Sequence, residues 1–121
     1  MTEKQNSKRF DLEERTFQFA KKTAFYIKQL PKNIPNLEYG RQVVRASGSV
    51  GANYIEANES LSKKDFIMRI KICRKEAKES AYWLRLIVET NNEECGQEGK
   101  KLLDEAIELK KIFSSILAKS E

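Results

Sequence analysis

The residues that could carry chemistry in this 121-residue chain are two cysteines and a set of carboxylates, because the sequence contains no histidine. The missing imidazole removes the commonest general base near neutral pH and the commonest metal ligand. Cys95 lies among glutamates in the segment NNEECGQEG, residues 91–99, where nearby negative charge disfavours a thiolate. Glu76 and Glu79 have no partner ligands in view, which indicates solvated or ion-paired carboxylates. We therefore predict no catalytic residue, no metal and no cofactor.

A row of cations points to a different kind of chemistry, the binding of a polyanion. The segment SKKDFIMRIKICRKEAKESAYWLRLIVET, residues 62–90, predicts a helix with an apolar stripe at three- and four-residue steps. Opposite that stripe project Lys64, Lys71, Lys75, Lys78 and Arg85. Such a row could track the phosphates of a nucleic acid. The alternative is a solvated face, because Lys75 could pair with Glu79 at i,i+4 spacing. The same spacing joins Arg85 to Glu89, and the sequence leaves both readings open.

Between these two sides of the helix lies a second apolar strip. It consists of Met68, Ile72, Trp83 and Leu86. Since a helix in a four-helix bundle contacts two neighbours, the strip could belong to a wide core within one subunit. It could also form a subunit interface, where Trp and Met are favoured. The sequence does not choose between the two.

The stretch RASGSVGANYIEANES, residues 45–60, is rich in small residues although its pattern is helical. One side of the predicted helix carries the small or short residues Gly40, Ser47, Gly48, Gly51 and Asn58. Glycine inside a helix costs about 1 kcal/mol relative to alanine, and close approach of another helix would offset that cost. A phosphate-binding loop would require a preceding strand and a lysine that are both missing here. We therefore predict helix packing for these residues.

Four amphipathic segments position all of these residues and predict an all-α fold, an antiparallel up-down four-helix bundle. The expected boundaries are a flexible tail over 1–10 and a bundle over 11–119 with helices at about 12–30, 37–60, 63–90 and 98–118. Asp11, Asn36 and Ser62 are the predicted helix N-caps.

Composition and charge bound the cellular setting. The chain has no apolar signal core and no membrane-length apolar run, and Cys73 falls in an apolar stripe apart from Cys95. These features predict a soluble, reduced, cytoplasmic protein without a disulfide or a membrane partner. The formal net charge of +5 permits a polyanionic partner.

The central half of the sequence resembles a known family. Residues 41–87 follow the pattern R-x3-R-x-(S/A)-x-S-(V/I)-x-x-N-x-x-E, then Lys-x-Phe and E-x-x-x-x-L-x-L. This is similar to bacterial four-helix-bundle proteins known from intervening sequences in large-subunit ribosomal RNA genes. Arg41 and Arg45 match motif positions and join the candidate nucleic-acid contacts, although the motif could instead serve folding or assembly. Ala57 departs from the glycine of many relatives, so backbone freedom is not required there.

The resemblance implies a function class as well as a fold. The family includes the accessory variability protein of diversity-generating retroelements, a homopentamer that binds nucleic acid through a basic surface and partners a reverse transcriptase. By that resemblance we expect a non-enzymatic homo-oligomer, most readily a pentamer. The partners that the resemblance implies are RNA or DNA and a reverse transcriptase. The alternative is a protein-interaction scaffold with no direct nucleic-acid role.

Overall fold

The computed structural model describes the backbone of residues 3–120 and the side chains of residues 11–120. Its helices are α1 (Glu3–Gln29), α2 (Ile34–Asn58), α3 (Lys63–Thr90) and α4 (Glu93–Ser120). Because the connections are short, consecutive helices lie antiparallel as neighbours. α3 packs between α2 and α4, and α1 closes the ring against α2 and, less extensively, α4. The predicted all-α, up-down four-helix bundle is confirmed.

The helix ends differ from the sequence-based expectation in three places. α1 begins at Glu3 rather than at residue 12, so Asp11 lies inside it and is not its N-cap. Residues 3–10 contain no proline or glycine that would stop the helix. Residues 1 and 2 lie outside the described residues, and flexibility of the segment 1–10 stays a prediction.

α2 begins earlier than predicted because Asn33, not Asn36, caps it. The Asn33 side chain accepts a hydrogen bond from the backbone N–H of Asn36 at 3.0 Å, and Pro35 occupies the first turn. Asn36 is buried, and its amide donates to the Pro31 carbonyl at 2.8 Å. It also exchanges hydrogen bonds of 3.0 and 2.8 Å with the amide of Asn91. This pair joins the α1–α2 and α3–α4 connections at one end of the bundle.

α4 begins at Glu93, so the predicted start of the fourth helix at about residue 98 is wrong. The side chain of Asn92 accepts from the backbone N–H of Cys95 at 3.0 Å and caps this helix. Cys95 therefore lies in a helix and not in a loop. α3, by contrast, covers the predicted range, and Ser62 accepts from the N–H of Asp65 at 3.1 Å as expected.

α2 runs as a continuous helix through its glycines, two of which face α1. A Cβ built on Gly40 would lie 2.8 Å from Cγ2 of Ile27, and one on Gly51 would lie 2.9 Å from Oγ1 of Thr16. These positions have no room for a methyl group. Gly48 does not belong to this contact, because a Cβ there meets nothing within 4 Å. Gly48 precedes Gly51 by three residues, so it points about 60° away from the direction in which Gly51 faces α1. The assignment of Gly48 to the packing side was wrong.

The other two residues of that set have different surroundings. Ser47 is buried, with its hydroxyl donating to the Val44 carbonyl at 3.3 Å. Asn58 is half-buried and donates from Nδ2 to Oε1 of Glu13 on α1 at 3.3 Å. Both lie on the side of α2 that carries Gly40.

Candidate nucleic-acid and assembly surfaces

The outer side of α3 carries a lysine face, which we define as Lys64, Lys71, Lys75 and Lys78. All four side chains are exposed. From residue 69 to residue 84, every exposed residue of α3 is a lysine or a tyrosine. The fourteen-residue step from Lys64 to Lys78 corresponds to about 21 Å along the helix axis. The row of exposed lysines is shorter than the predicted row of five cations, which continued to Arg85.

The two glutamates in the middle of α3 are both bound by Arg45 of α2. Nη1 of Arg45 lies 3.3 Å from Oε2 of Glu76, and Nη2 lies 3.1 Å from Oε2 of Glu79. The predicted pairing of Glu79 with Lys75 is not among the ion pairs of residues 11–120, and Glu79 binds Arg45 instead. Arg45 was predicted as a phosphate contact, whereas its guanidinium is engaged by glutamates. The lysine face keeps its positive charge as a result.

The two remaining predicted cations, Arg85 and Arg41, lie outside the lysine face. Arg85 donates from Nε to Oε2 of Glu89 at 2.9 Å, the i,i+4 pair expected from the sequence. Both side chains are largely exposed, so this pair contributes little stability. Arg41 is exposed on the outer side of α2 and makes no ion pair with another described residue.

Beside the lysine face, a cluster of aromatic rings spans α2 and α3. Trp83 stacks on Tyr39 of α2 with ring centroids 5.9 Å apart, and the Tyr82 ring meets Trp83 edge-on at 5.1 Å. Tyr82 stays 58% exposed. These rings border an open depression, the aromatic groove, lined by Gln42, Arg45, Lys75, Lys78, Glu79, Tyr82 and Trp83. Tyr39 was missed by sequence reasoning, since its meeting with Trp83 depends on the register between two helices.

The predicted apolar strip divides into two parts. Trp83 is half-buried in the contact with Tyr39, within one subunit. Met68 is 48% exposed, while Ile72 and Leu86 are half-buried. Around Met68 and Ile72, an open apolar patch is bordered by Lys63, Lys64, Lys71 and Lys75. This part of the strip has no partner helix within the described bundle.

Two residues of the sequence motif connect α2 to α3. Besides Arg45, Asn53 accepts a hydrogen bond at Oδ1 from Nη1 of Arg69 at 2.9 Å. The Asn53 amide also donates to the backbone carbonyl and the hydroxyl of Ser49, at 2.9 and 3.0 Å. These contacts give the motif a role in positioning α3 against α2.

The two thiols differ in their surroundings. Cys73 is fully buried, and burial raises the pKa of its thiol to about 12. Its S–H donates to the Val50 carbonyl at 3.4 Å. Cys95 is half-buried at the start of α4, and its carbonyl accepts from the Tyr26 hydroxyl at 2.8 Å. Burial likewise raises the pKa of Tyr26 to about 12.

Two negative findings apply to the part of the chain that the structure describes. There, no three His, Cys, Asp or Glu residues come together in a way that could hold a metal ion. None of the helices from Glu3 to Ser120 combines the length and apolar character needed to cross a membrane.

Comparison with known proteins identifies a family and a solved structure with a similar fold. Residues 8–115 match the family model described as 23S rRNA-intervening sequence protein. The fold is similar to a crystal structure of a protein with unknown function from the S23 ribosomal protein family of Bacteroides thetaiotaomicron VPI-5482. The two sequences are 27% identical, and the TM-score is 0.78 over 92% of this chain and 98% of the other. No curated protein matches the chain.

Proposed function

The chain belongs to the family of 23S rRNA-intervening sequence proteins, and from this premise we propose that it is a non-enzymatic, nucleic-acid-binding accessory protein. The observation that carries the proposal is the lysine face, four exposed lysines along α3, with Glu76 and Glu79 beside them bound by Arg45. Nucleic-acid backbones are bound mainly through such cations, which release counterions from the phosphates.

The arrangement suits a phosphate backbone better than a scattered positive surface would. The lysines follow one helix, so their ammonium groups form a row and not a ring. Glu76 is buried and the Glu79 side chain is 37% exposed, and both carboxylates are paired with Arg45 of α2. An approaching polyanion meets a net positive charge along α3, which raises the rate of association at low salt.

Charge reversal tests this proposal. Replacing Lys71, Lys75 and Lys78 with Glu should abolish binding of a fluorescent RNA or DNA oligonucleotide at low salt. In a milder variant with three Gln residues, the slope of log K against log salt should fall by about 2 for a single strand. The matched control is the same triple change at Lys100, Lys111 and Lys119.

The control lysines are exposed on α4 and do not belong to the lysine face. Charge reversal there changes the net charge equally, so a general electrostatic effect would weaken both proteins alike. If the α3 variant binds the oligonucleotide as tightly as the unmodified protein, the lysine face is not the nucleic-acid-binding surface. Absence of binding by the unmodified protein in both RNA and DNA titrations would reject the proposed function itself.

Self-association is the second part of the proposal, supported by apolar residues that the bundle leaves outside. Met68 is 48% exposed beside Ile72, in the unpartnered part of the strip. On α2, Val44 is also exposed, at 44%. We assign the subunit contact to the Met68 surface, because there a continuous apolar patch is available.

Light scattering separates these surfaces. Met68→Glu should dissociate the oligomer, whereas Val44→Glu should leave it intact. Dissociation by Val44→Glu alone would move the interface to α2. An unmodified protein that is monomeric at high concentration would reject self-association, and the Met68 surface would then favour the alternative role of a scaffold for another protein.

A further inference from the structure

The aromatic groove contains an exposed aromatic ring on which a nucleobase could stack, and the lysine face has no such ring. We infer that this groove binds single-stranded nucleic acid by stacking one unpaired base on Tyr82, while Lys75 and Lys78 hold the adjoining phosphates. This inference rests on the proposed function and narrows its ligand class. It is carried by the exposed ring of Tyr82 and by the cations placed one and two helical turns before it.

Tyr82 is available for a ligand in a way that its neighbours are not. More than half of the residue is exposed, at 58%. Trp83 stacks against Tyr39, and the Tyr82 ring meets Trp83 edge-on with centroids 5.1 Å apart. This contact supports the Tyr82 ring from one side without covering it, so a base would meet a surface that is already oriented.

The spacing along α3 places the cations where a backbone would pass. Lys78 precedes Tyr82 by four residues and Lys75 by seven, and both therefore share its side of the helix. The axial distances are about 6 Å and 10 Å. A strand running along the lysine face would thus reach Tyr82 at the end of the row, with its phosphates near the lysines.

The negative charge within the groove is compensated. Glu79 lines it, but its carboxylate is bound to Nη2 of Arg45 at 3.1 Å. Arg45 also holds Glu76, which is buried beneath the surface. With Glu79 paired to Arg45, the groove keeps a net positive charge from Lys75 and Lys78, which attracts a phosphate.

The geometry selects unpaired strands. In a duplex the bases are stacked on one another and their faces are closed, whereas an unpaired base can stack on an aromatic side chain. Such stacking tolerates any base sequence. A duplex would still contact the lysines through its phosphates, but it would gain nothing from Tyr82.

The test compares fluorescent oligonucleotides of about twelve nucleotides, single-stranded or annealed to a complement, by anisotropy titration. Tyr82→Ala should weaken single-strand binding roughly 5- to 150-fold, the range expected for one lost stacking contact. Duplex binding should change less than twofold. Tyr82→Phe keeps the ring and should retain affinity.

Phe17→Ala is the matched control, since Phe17 is another aromatic residue with 58% exposure, located on α1. Thermal unfolding of each variant checks that the bundle is intact. Equal single-strand affinity of Tyr82→Ala and the unmodified protein would overturn the inference, and so would an equal loss for duplex. In either case, loss of binding in the lysine variants would leave the proposed function standing. Failure of the unmodified protein to bind any oligonucleotide would reject both.

Discussion

Two glycines three residues apart in α2 should respond oppositely to the same substitution. At Gly48 a new Cβ meets no atom within 4 Å. Gly48→Ala should therefore stabilise the protein by about 1 kcal/mol, the difference in helix propensity. At Gly51 the same gain is opposed, because the Cβ would lie 2.9 Å from Oγ1 and 3.3 Å from Cβ of Thr16. Carbon atoms prefer separations of roughly 3.5–4.0 Å.

Thr16 cannot yield cheaply. It is fully buried, and its hydroxyl donates to the Glu13 carbonyl at 2.9 Å. Rotating the side chain would break that bond, and moving α1 outward would loosen the core. Such overpacking typically costs about 1–3 kcal/mol. Gly51→Ala should thus be less stable than Gly48→Ala by about 1–3 kcal/mol.

Urea unfolding followed by circular dichroism, at one protein concentration, measures this difference. Both variants remove a glycine from the same helix, so the effect on the unfolded chain is shared and cancels. The midpoints should separate while the slopes stay equal. If Gly51→Ala proved as stable as Gly48→Ala, close approach of α1 would not be the reason for glycine at that position.

The other predictions concern a charge cluster and a thiol. Arg45→Gln should lower the free energy of unfolding by about 1–2 kcal/mol in urea titrations, less than for a fully buried pair because the Arg45 side chain is 56% exposed. Arg41→Gln makes the same charge change and should cost under about 0.5 kcal/mol, so equal losses would contradict the Glu76 contact. In native protein at pH 8, a chromogenic thiol reagent should modify Cys95 and spare Cys73. Rapid modification of a thiol in the Cys95→Ser variant would refute this prediction. The folded-state pKa of Cys73 is raised from 9.0 to about 12, so its contribution to stability is complete below pH 9 and is lost as the pH rises toward 12. In pH-dependent unfolding, Cys73→Ala should reduce this loss, and the part that begins above pH 10 should remain because the pKa of Tyr26 is also raised to about 12.

The helix ends illustrate where local signals were enough and where they were not. Ser62 was predicted correctly as a cap, because it directly precedes a helix whose first turn contains Asp65. Asn33 and Asn36 are both residues that commonly cap helices. Asn33 is the N-cap in the structure, and the side chain of Asn36 is instead hydrogen-bonded to Asn91. That pair joins two connections remote in sequence, so no local pattern could reveal it.

In the candidate site too, some features follow from local spacing and others depend on contacts between helices. The lysine face could be predicted from spacing, because residues three, four and seven apart share one side of a helix whatever surrounds it. Whether Glu79 would neutralise Lys75 could not be predicted, since the competing partner Arg45 comes from another helix. The same applies to the Tyr39–Trp83 stack, which depends on how far α2 slides along α3.

By itself, the sequence determined four helices, their apolar stripes and the row of lysines along α3, because helical periodicity is a local property of the chain. Tertiary structure alone decided which groups face each other: Gly51 against Thr16, Arg45 against two glutamates, Trp83 against Tyr39. These meetings depend on the register and rotation of packed helices, which are fixed by the whole core and not by any one segment.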